Sequence, residues 1–220
     1  LLSQPIDDET WPFMSCGSVQ VADVAGRLFR ISFSGEHAYE IAVPSRFGAS
    51  LFDLLCARAE AMGGGAYGME ALNVLRIEKG HVTHAEINGQ KTAFDIGFAR
   101  MVSAKKDCIG KTMAARPGLV DAARPQLVGL KPVERDRELT AGAHLFARGA
   151  AARRENDQGH VTSVGHSPTL GHSIGLAFLS DGPARHGEII RVVDEMRGLD
   201  LLAEVCGPVF VDPEGGRLRG

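Results

Sequence analysis

Three things are missing from this 220-residue chain: a long apolar run, a basic block and a cysteine framework. No stretch reaches the ~18 consecutive apolar residues of a spanning helix. The amino terminus has no basic segment followed by an apolar one, so no signal peptide is expected. The 24 Lys and Arg are interspersed with 27 Asp and Glu for a net charge of −3. That distribution lacks the basic footprint of a nucleic-acid binder. Cys16, Cys56, Cys108 and Cys206 are scattered with no CxxC pair. Reduced thiols of a cytoplasmic protein are expected, with Cys56 in the core. Internal repeats and low-complexity tracts are absent too. Neither Ser34-Gly35-Glu36 nor Gly63-Gly64-Gly65 fits a Walker or dinucleotide loop, and there is no hydrolase nucleophile elbow. His81, His84 and Glu86 are metal-type side chains, but a zinc site needs three or four convergent ligands. They follow the helix-ending Gly80, so no metal is expected, and His160, His166 and His172 read as surface or turn groups.

What is present is an ordinary apolar share of 44%, enough for a sizeable core. Residues 19–24 and 28–33 read as strands around a turn at Ala25-Gly26-Arg27, and 39–43 as a third strand. In 28–33, alternation puts Phe29, Ile31 and Phe33 on one face and Arg30 and Ser32 on the other. Trp11, Phe13 and Met14 are placed to pack on this sheet. A helix follows Pro44, with Ser45 as N-cap and Phe47, Leu51, Leu54, Leu55 and Met62 as its apolar stripe. The glycines at 63–65 stop it, and a second helix fits 68–79. Strands followed by helices indicate an α+β domain with an antiparallel sheet. Pro117-Gly118 and Pro125 mark a boundary. Beyond it, 126–131, 144–148, 160–164, 173–179, 188–194 and 201–206 are short strand candidates, the pattern of a small barrel or sandwich.

The stretch Phe33-Ser-Gly-Glu-His-Ala-Tyr-Glu-Ile41 turns at Gly35 and re-enters a strand at Tyr39. There the apolar positions face one way and Glu40 faces the other. Such a carboxylate is either solvated on an open face or accepts two hydrogen bonds from a planar ligand with adjacent N–H donors, such as a pterin or guanine edge. Arg76 and Glu78 are two apart on the second helix and do not share a face. Arg76 lines either the core edge or a ligand.

This stretch resembles the "YTGE-GYEI" segment of the glycine cleavage T-protein (aminomethyltransferase) family. Leu75-Arg-Ile-Glu-Lys-Gly80, Lys106-Asp-Cys-Ile-Gly-Lys111, Gly159-His-Val-Thr-Ser163 and Ser167-Pro-Thr-Leu-Gly171 look like its "LRLE-G", "KDFIGK", "G-VTSG" and "SPTLG", in family order. Within the family, "LRIEKG" and the ending Pro208-Val-Phe-Val-Asp-Pro-Glu-Gly215 are similar to the carboxy-terminal part of the α subunits of heterotetrameric sarcosine oxidases. Those subunits are far longer, which implies a fragment that begins inside a folate-binding domain.

The resemblance implies α+β fold class: part of a T-protein-like folate-binding domain over residues 1–116, then a small all-β barrel over 117–220. It implies tetrahydrofolate in or next to this chain, with FAD, FMN and NAD elsewhere in a complex of several subunits. Glu40 is expected to grip the pterin, with Phe33 stacked near the ring, Tyr39 packed behind and Arg76 as a further contact. Two positions depart from the family: Leu72 stands where an arginine is usual, and Phe33 replaces the tyrosine of "YTGE". The family's acidic residue near the attacking nitrogen comes from an earlier segment. The isolated chain is therefore expected to lack oxidase activity and, as part of a domain, to self-associate. Two alternatives stand beside this: a non-catalytic assembly module, and a free-standing aminomethyltransferase served by a lipoyl carrier protein.

Overall fold

The computed structural model describes residues 1–103 and 105–220. They form two compact units, Leu1–Leu75 with Asp212–Gly220, and Arg76–Val211.

In the first unit, β1 (Cys16–Val21), β2 (Val24–Phe29) and β3 (Glu40–Ala42) make an antiparallel sheet in that order. Val21 pairs with Val24, so the turn is the two residues Ala22-Asp23. Both have positive φ, 45° and 66°, the left-handed pair that a two-residue hairpin demands. The turn expected at Ala25-Gly26-Arg27 is thus displaced. Gly26 lies inside β2, where a Cβ would stand 2.8 Å from the Ala42 carbonyl oxygen. Glycine serves close approach of strands there, not chain reversal. Within 28–33 the buried face is the one that carries Arg30, not the one that carries Phe29, Ile31 and Phe33. Leu28 and Arg30 are buried, whereas Phe29 and Ile31 are only half-buried and Phe33 is 39% exposed. Trp11, Val19, Val21 and Leu28 form the core, flanked by Tyr39, Ile41, Val43 and Leu51.

α1 (Gly48–Ala61) follows a 3-10 turn over Ser45–Phe47. Its N-cap is Phe47, with no side-chain cap bond; Ser45, the expected cap, lies two residues earlier, at the start of the 3-10 turn. Leu51, Leu54 and Leu55 are half-buried, but Met62 is 87% exposed, beyond the helix end. Gly63 and Gly64 close α1, their amides bonding to the carbonyls of Glu60 and Ala59 at 3.0 and 2.8 Å. α2 (Met69–Glu78) ends with Arg76, Ile77 and Glu78 all buried.

The second unit is built on a closed antiparallel barrel of β4 (Pro125–Pro132), β5 (His144–Ala147), β6 (Gly159–Ser167), β7 (His172–Ser180), β8 (Ile189–Asp194) and β9 (Leu199–Cys206). Their order is β4-β7-β6-β5-β8-β9, and β9 pairs back onto β4. Closure removes the unpaired edges an open sheet would leave. Val128, Leu130, Leu145, Val161, Ala177, Ile190, Val192, Ala203 and Val205 belong to the main core of this unit. β7 is buried on both faces. Ala177 and Leu179 join that core, while Ile174, Leu176 and Phe178 pack with Ile77, Ile96 and Leu127. That explains its unbroken apolar run, Ile174 to Leu179. No helix among the described residues is long and apolar enough to cross a membrane.

Candidate functional site

Directly opposed residues of an antiparallel sheet share a face. Glu40 pairs with Phe29, and Phe29 with Cys16. These three therefore form one row across the outer face: an exposed carboxylate, a half-buried ring and an exposed thiol. Arg27, Ala42 and Ser18 form the next row. A shallow, open groove of about 490 Å³ runs past Ser18, Gln20, Ala25, Arg27 and Ala42; Glu40, Phe29 and Cys16 do not line it. Among the described residues the Glu40 carboxylate has no hydrogen-bond or ion-pair partner, although its backbone is in the β2–β3 ladder. The aromatic neighbour that sequence reasoning missed is Phe29, because the β2–β3 register that sets it opposite Glu40 cannot be read from the alternation within each strand.

The turn before Glu40 is tied to the sheet by Arg30, whose side chain is 0% exposed. Nη1 donates to the Ala38 carbonyl at 3.3 Å and Nη2 to His37 Nδ1 at 3.1 Å. The guanidinium carbon lies 5.3 Å from the Tyr39 ring centroid and 5.8 Å from that of Phe13. Tyr39 packs against the core and its hydroxyl bonds to His37 Nε2 at 3.1 Å. At the tip, the Gly35 amide, with φ 86°, donates to Ser32 Oγ.

Arg76 lies in the second unit and is 4% exposed. Nη2 donates to Ser163 Oγ at 2.8 Å, and Nη1 to the His81 carbonyl and Glu86 Oε2 at 3.2 and 3.4 Å. Ser163 Oγ donates in turn to Glu86 Oε1 at 2.6 Å, and the Thr83 amide and hydroxyl also donate to Glu86. Burial pushes the Glu86 carboxyl up; bonds from Ser163, Thr162 and Thr83 and the Arg76 charge outweigh it, leaving it below the ordinary 4.5. Glu78 accepts from Ser167 Oγ at 2.5 Å. The serines of "VTS" and "SPTLG" are thus the hydroxyls that satisfy two buried carboxylates. Glu86, grouped by sequence with His81 and His84, is bound into this network. The Lys106–Lys111 segment is a turn before α3 (Lys111–Ala114), held by Lys111 Nζ on the Lys106 carbonyl at 2.9 Å.

Of the four residues singled out from the sequence, Glu40, Tyr39 and Phe33 lie in the first unit and Arg76 in the second. Glu40 and Tyr39 are consecutive and point to opposite faces, one open and one core.

Comparison with known proteins agrees with the motif reading. Residues 1–106 match the GCVT N-terminal domain, and residues 126–212 the glycine cleavage T-protein C-terminal barrel domain. The chain is 47% identical to the sarcosine oxidase subunit alpha of Rhizobium meliloti (strain 1021), over 100% of this chain and 22% of that protein. It is 36% identical to the corresponding subunit of Corynebacterium sp. (strain P-1), over 98% of this chain and again 22% of the relative. It therefore spans 22% of the length of these relatives. An aminomethyltransferase of Mycobacterium tuberculosis (strain ATCC 25618 / H37Rv) is 30% identical over 90% of this chain and 52% of its own length. Among solved structures, the glycine cleavage system aminomethyltransferase T from Bartonella henselae shares the fold, with a TM-score of 0.71 and 24% identity over 86% of this chain and 50% of that one. With matches to both of its domains, in order, the chain belongs to the glycine cleavage T-protein family.

Proposed function

We propose that this chain is the tetrahydrofolate-binding part of a sarcosine oxidase α subunit. It would work with other subunits of a cytoplasmic heterotetramer whose FAD, FMN and NAD are held elsewhere. In this reading a flavin held elsewhere would supply the oxidation, taking two electrons and two protons from sarcosine so that its N-methyl carbon is delivered as an electrophilic iminium carbon. A folate nitrogen attacks that carbon, glycine leaves, and 5,10-methylenetetrahydrofolate results. The protein's task here is to position the folate and exclude water. The 47% identity to a sarcosine oxidase subunit, against 30% to an aminomethyltransferase, favours this over a free-standing transferase.

The observation that carries the reading is the open carboxylate of Glu40, set opposite Phe29 on the exposed face of a three-stranded sheet. Two carboxylate oxygens match the adjacent N–H donors of a pterin, and each charge-assisted bond contributes about 1.5–3 kcal/mol. Phe29 and Phe33 supply aromatic surface, and Tyr39 backs the strand. Arg76, occupied by Ser163 and Glu86, is assigned to the buried network rather than to the ligand. Calorimetric titration with folinate, a stable reduced folate, tests this on the chain and on the complete polypeptide that carries it. Glu40→Gln should weaken binding by about tenfold or more; unchanged affinity would overturn the reading. The assembly-module alternative draws on Phe33 and Leu72, the two departures from the family pattern. It would be favoured if the complete polypeptide bound no folinate.

A further inference from the structure

We propose that Arg30 is a positioning residue that fixes the direction in which Glu40 leaves the sheet. The proposal rests on the reading of Glu40 as the pterin-binding carboxylate.

Arg30 is the largest fully buried side chain among the described residues. Burying a guanidinium is unfavourable unless it is paired and hydrogen-bonded. The pairing here is thin. Asp8, at 3.7 Å, is half exposed, and Nε has no hydrogen-bond partner. What surrounds the group instead is one short piece of chain. Three consecutive residues contact it, each with a different chemical group: His37 with a ring nitrogen, Ala38 with its carbonyl and Tyr39 with its aromatic face. The next residue is Glu40. Phe13 covers the guanidinium from the segment before β1.

This arrangement needs arginine rather than a positive charge as such. A planar fork donates in two directions in its own plane and stacks rings on its faces, which an ammonium cannot do. Arginine donates only, so His37 Nδ1 must accept. The ring then carries its proton on Nε2, which donates to the Tyr39 hydroxyl, 3.1 Å away. The chain Arg30–His37–Tyr39 thereby fixes both the backbone and the tautomer of the segment entering β3. β3 is only three residues long, Glu40–Ala42, and its pairing begins at Glu40 itself. The ladder therefore holds Glu40 from one side only, and the Arg30 clamp supplies the other.

Two measurements test this, and the first needs no ligand. Nitrogen NMR of ¹⁵N-histidine-labelled chain should show His37 as the Nε2–H form. In Arg30→Lys it should relax to the tautomer mixture of a free imidazole. A mixture already present in the wild type would overturn the clamp. The second is a double-mutant cycle on folinate affinity. Arg30→Lys should cost about tenfold in wild type and nothing further in Glu40→Gln, because it acts through that carboxylate. His37→Gln, at an exposed position whose loss the fold should tolerate, should cost about threefold in the same cycle. Additive losses would show that Arg30 supports the fold alone, and would overturn the proposal. Arg30→Lys within twofold of wild type, with Glu40→Gln still tenfold weaker, would overturn it and leave the folate reading standing. A harmless Glu40→Gln would remove both.

Discussion

Glu40 and Phe29 meet across the β2–β3 pair, so the register of that pair sets which side chain stands beside the carboxylate on the open face. Phe29, opposed to the carboxylate and half-buried, is placed to lie against a ring gripped by Glu40. Truncating an aromatic that stacks on a planar heterocycle costs about 1–3 kcal/mol in comparable sites. Phe29→Ala should therefore weaken folinate binding by about fivefold or more. Phe33→Ala should cost less, since Phe33 is outside the strands and off the Glu40 row; equal losses in the calorimeter would reverse the assignment. Cys16 offers a chemical probe of the same row. It and Cys108 are exposed, whereas burial pushes the Cys206 thiol up to about 11. Alkylation near neutral pH should modify Cys16 and Cys108 first and Cys206 last. Saturating folinate should slow Cys16 and leave Cys108 unchanged, read by peptide mass spectrometry.

At the scale of elements, the network at the end of α2 has the strongest consequence for stability. Arg76 and Glu86 are both buried, and Ser163 on β6 bridges them. Removing one partner of a buried pair leaves an uncompensated charge and costs about 3–5 kcal/mol. Arg76→Ala should destabilise the second unit by that amount in denaturant unfolding, and Ser163→Ala by about 1–3 kcal/mol. A role confined to ligand binding would leave both unfolding curves in place. Barrel strands were legible from residues alone, because short apolar runs separated by Gly, Pro and Asp identify themselves. Observed strands such as β7, His172–Ser180, extend the expected 173–179 by one residue at each end. The first hairpin was not legible: Gly26 reads as a turn residue, and only the approach of the Ala42 carbonyl reveals its purpose. Arg30 was hidden because alternation in 28–33 separates it from Phe29, Ile31 and Phe33 without showing that the arginine's face is the buried one. The open side of Glu40 was legible from the alternation of 39–43. Motif serines were visible as words, but their buried carboxylate partners lie 77 and 89 positions away in the chain.

For the molecule as a whole, the folate site proposed for this chain comes with no nucleotide loop in these 220 residues. Purified alone with sarcosine, it should therefore form no peroxide; detectable peroxide would refute that expectation. Acid should act on the second unit first through its two most deeply buried carboxylates with lowered pKa, Glu86 and Asp95. Glu86 is held below the ordinary 4.5 as described. Burial pushes Asp95 up, but bonds from Arg124 and the Thr92 amide and hydroxyl and the Arg124 charge prevail, leaving it below the ordinary 3.8. A group with a depressed native pKa binds fewer protons folded than unfolded, so stability falls as pH falls. Its contribution is complete above the unfolded value and is lost as pH drops through the native one. Unfolding free energy should therefore hold steady from neutral pH to about 5 and decline below about 4.5. Glu86→Gln should lower stability at neutral pH and flatten the decline, because one of the two titrations is gone. Chemical denaturation from pH 7 to 3 measures both effects. Equal slopes for wild type and Glu86→Gln would place the acid sensitivity on other groups, with the exposed pairs Arg185–Glu188 and Arg191–Asp200 next in line.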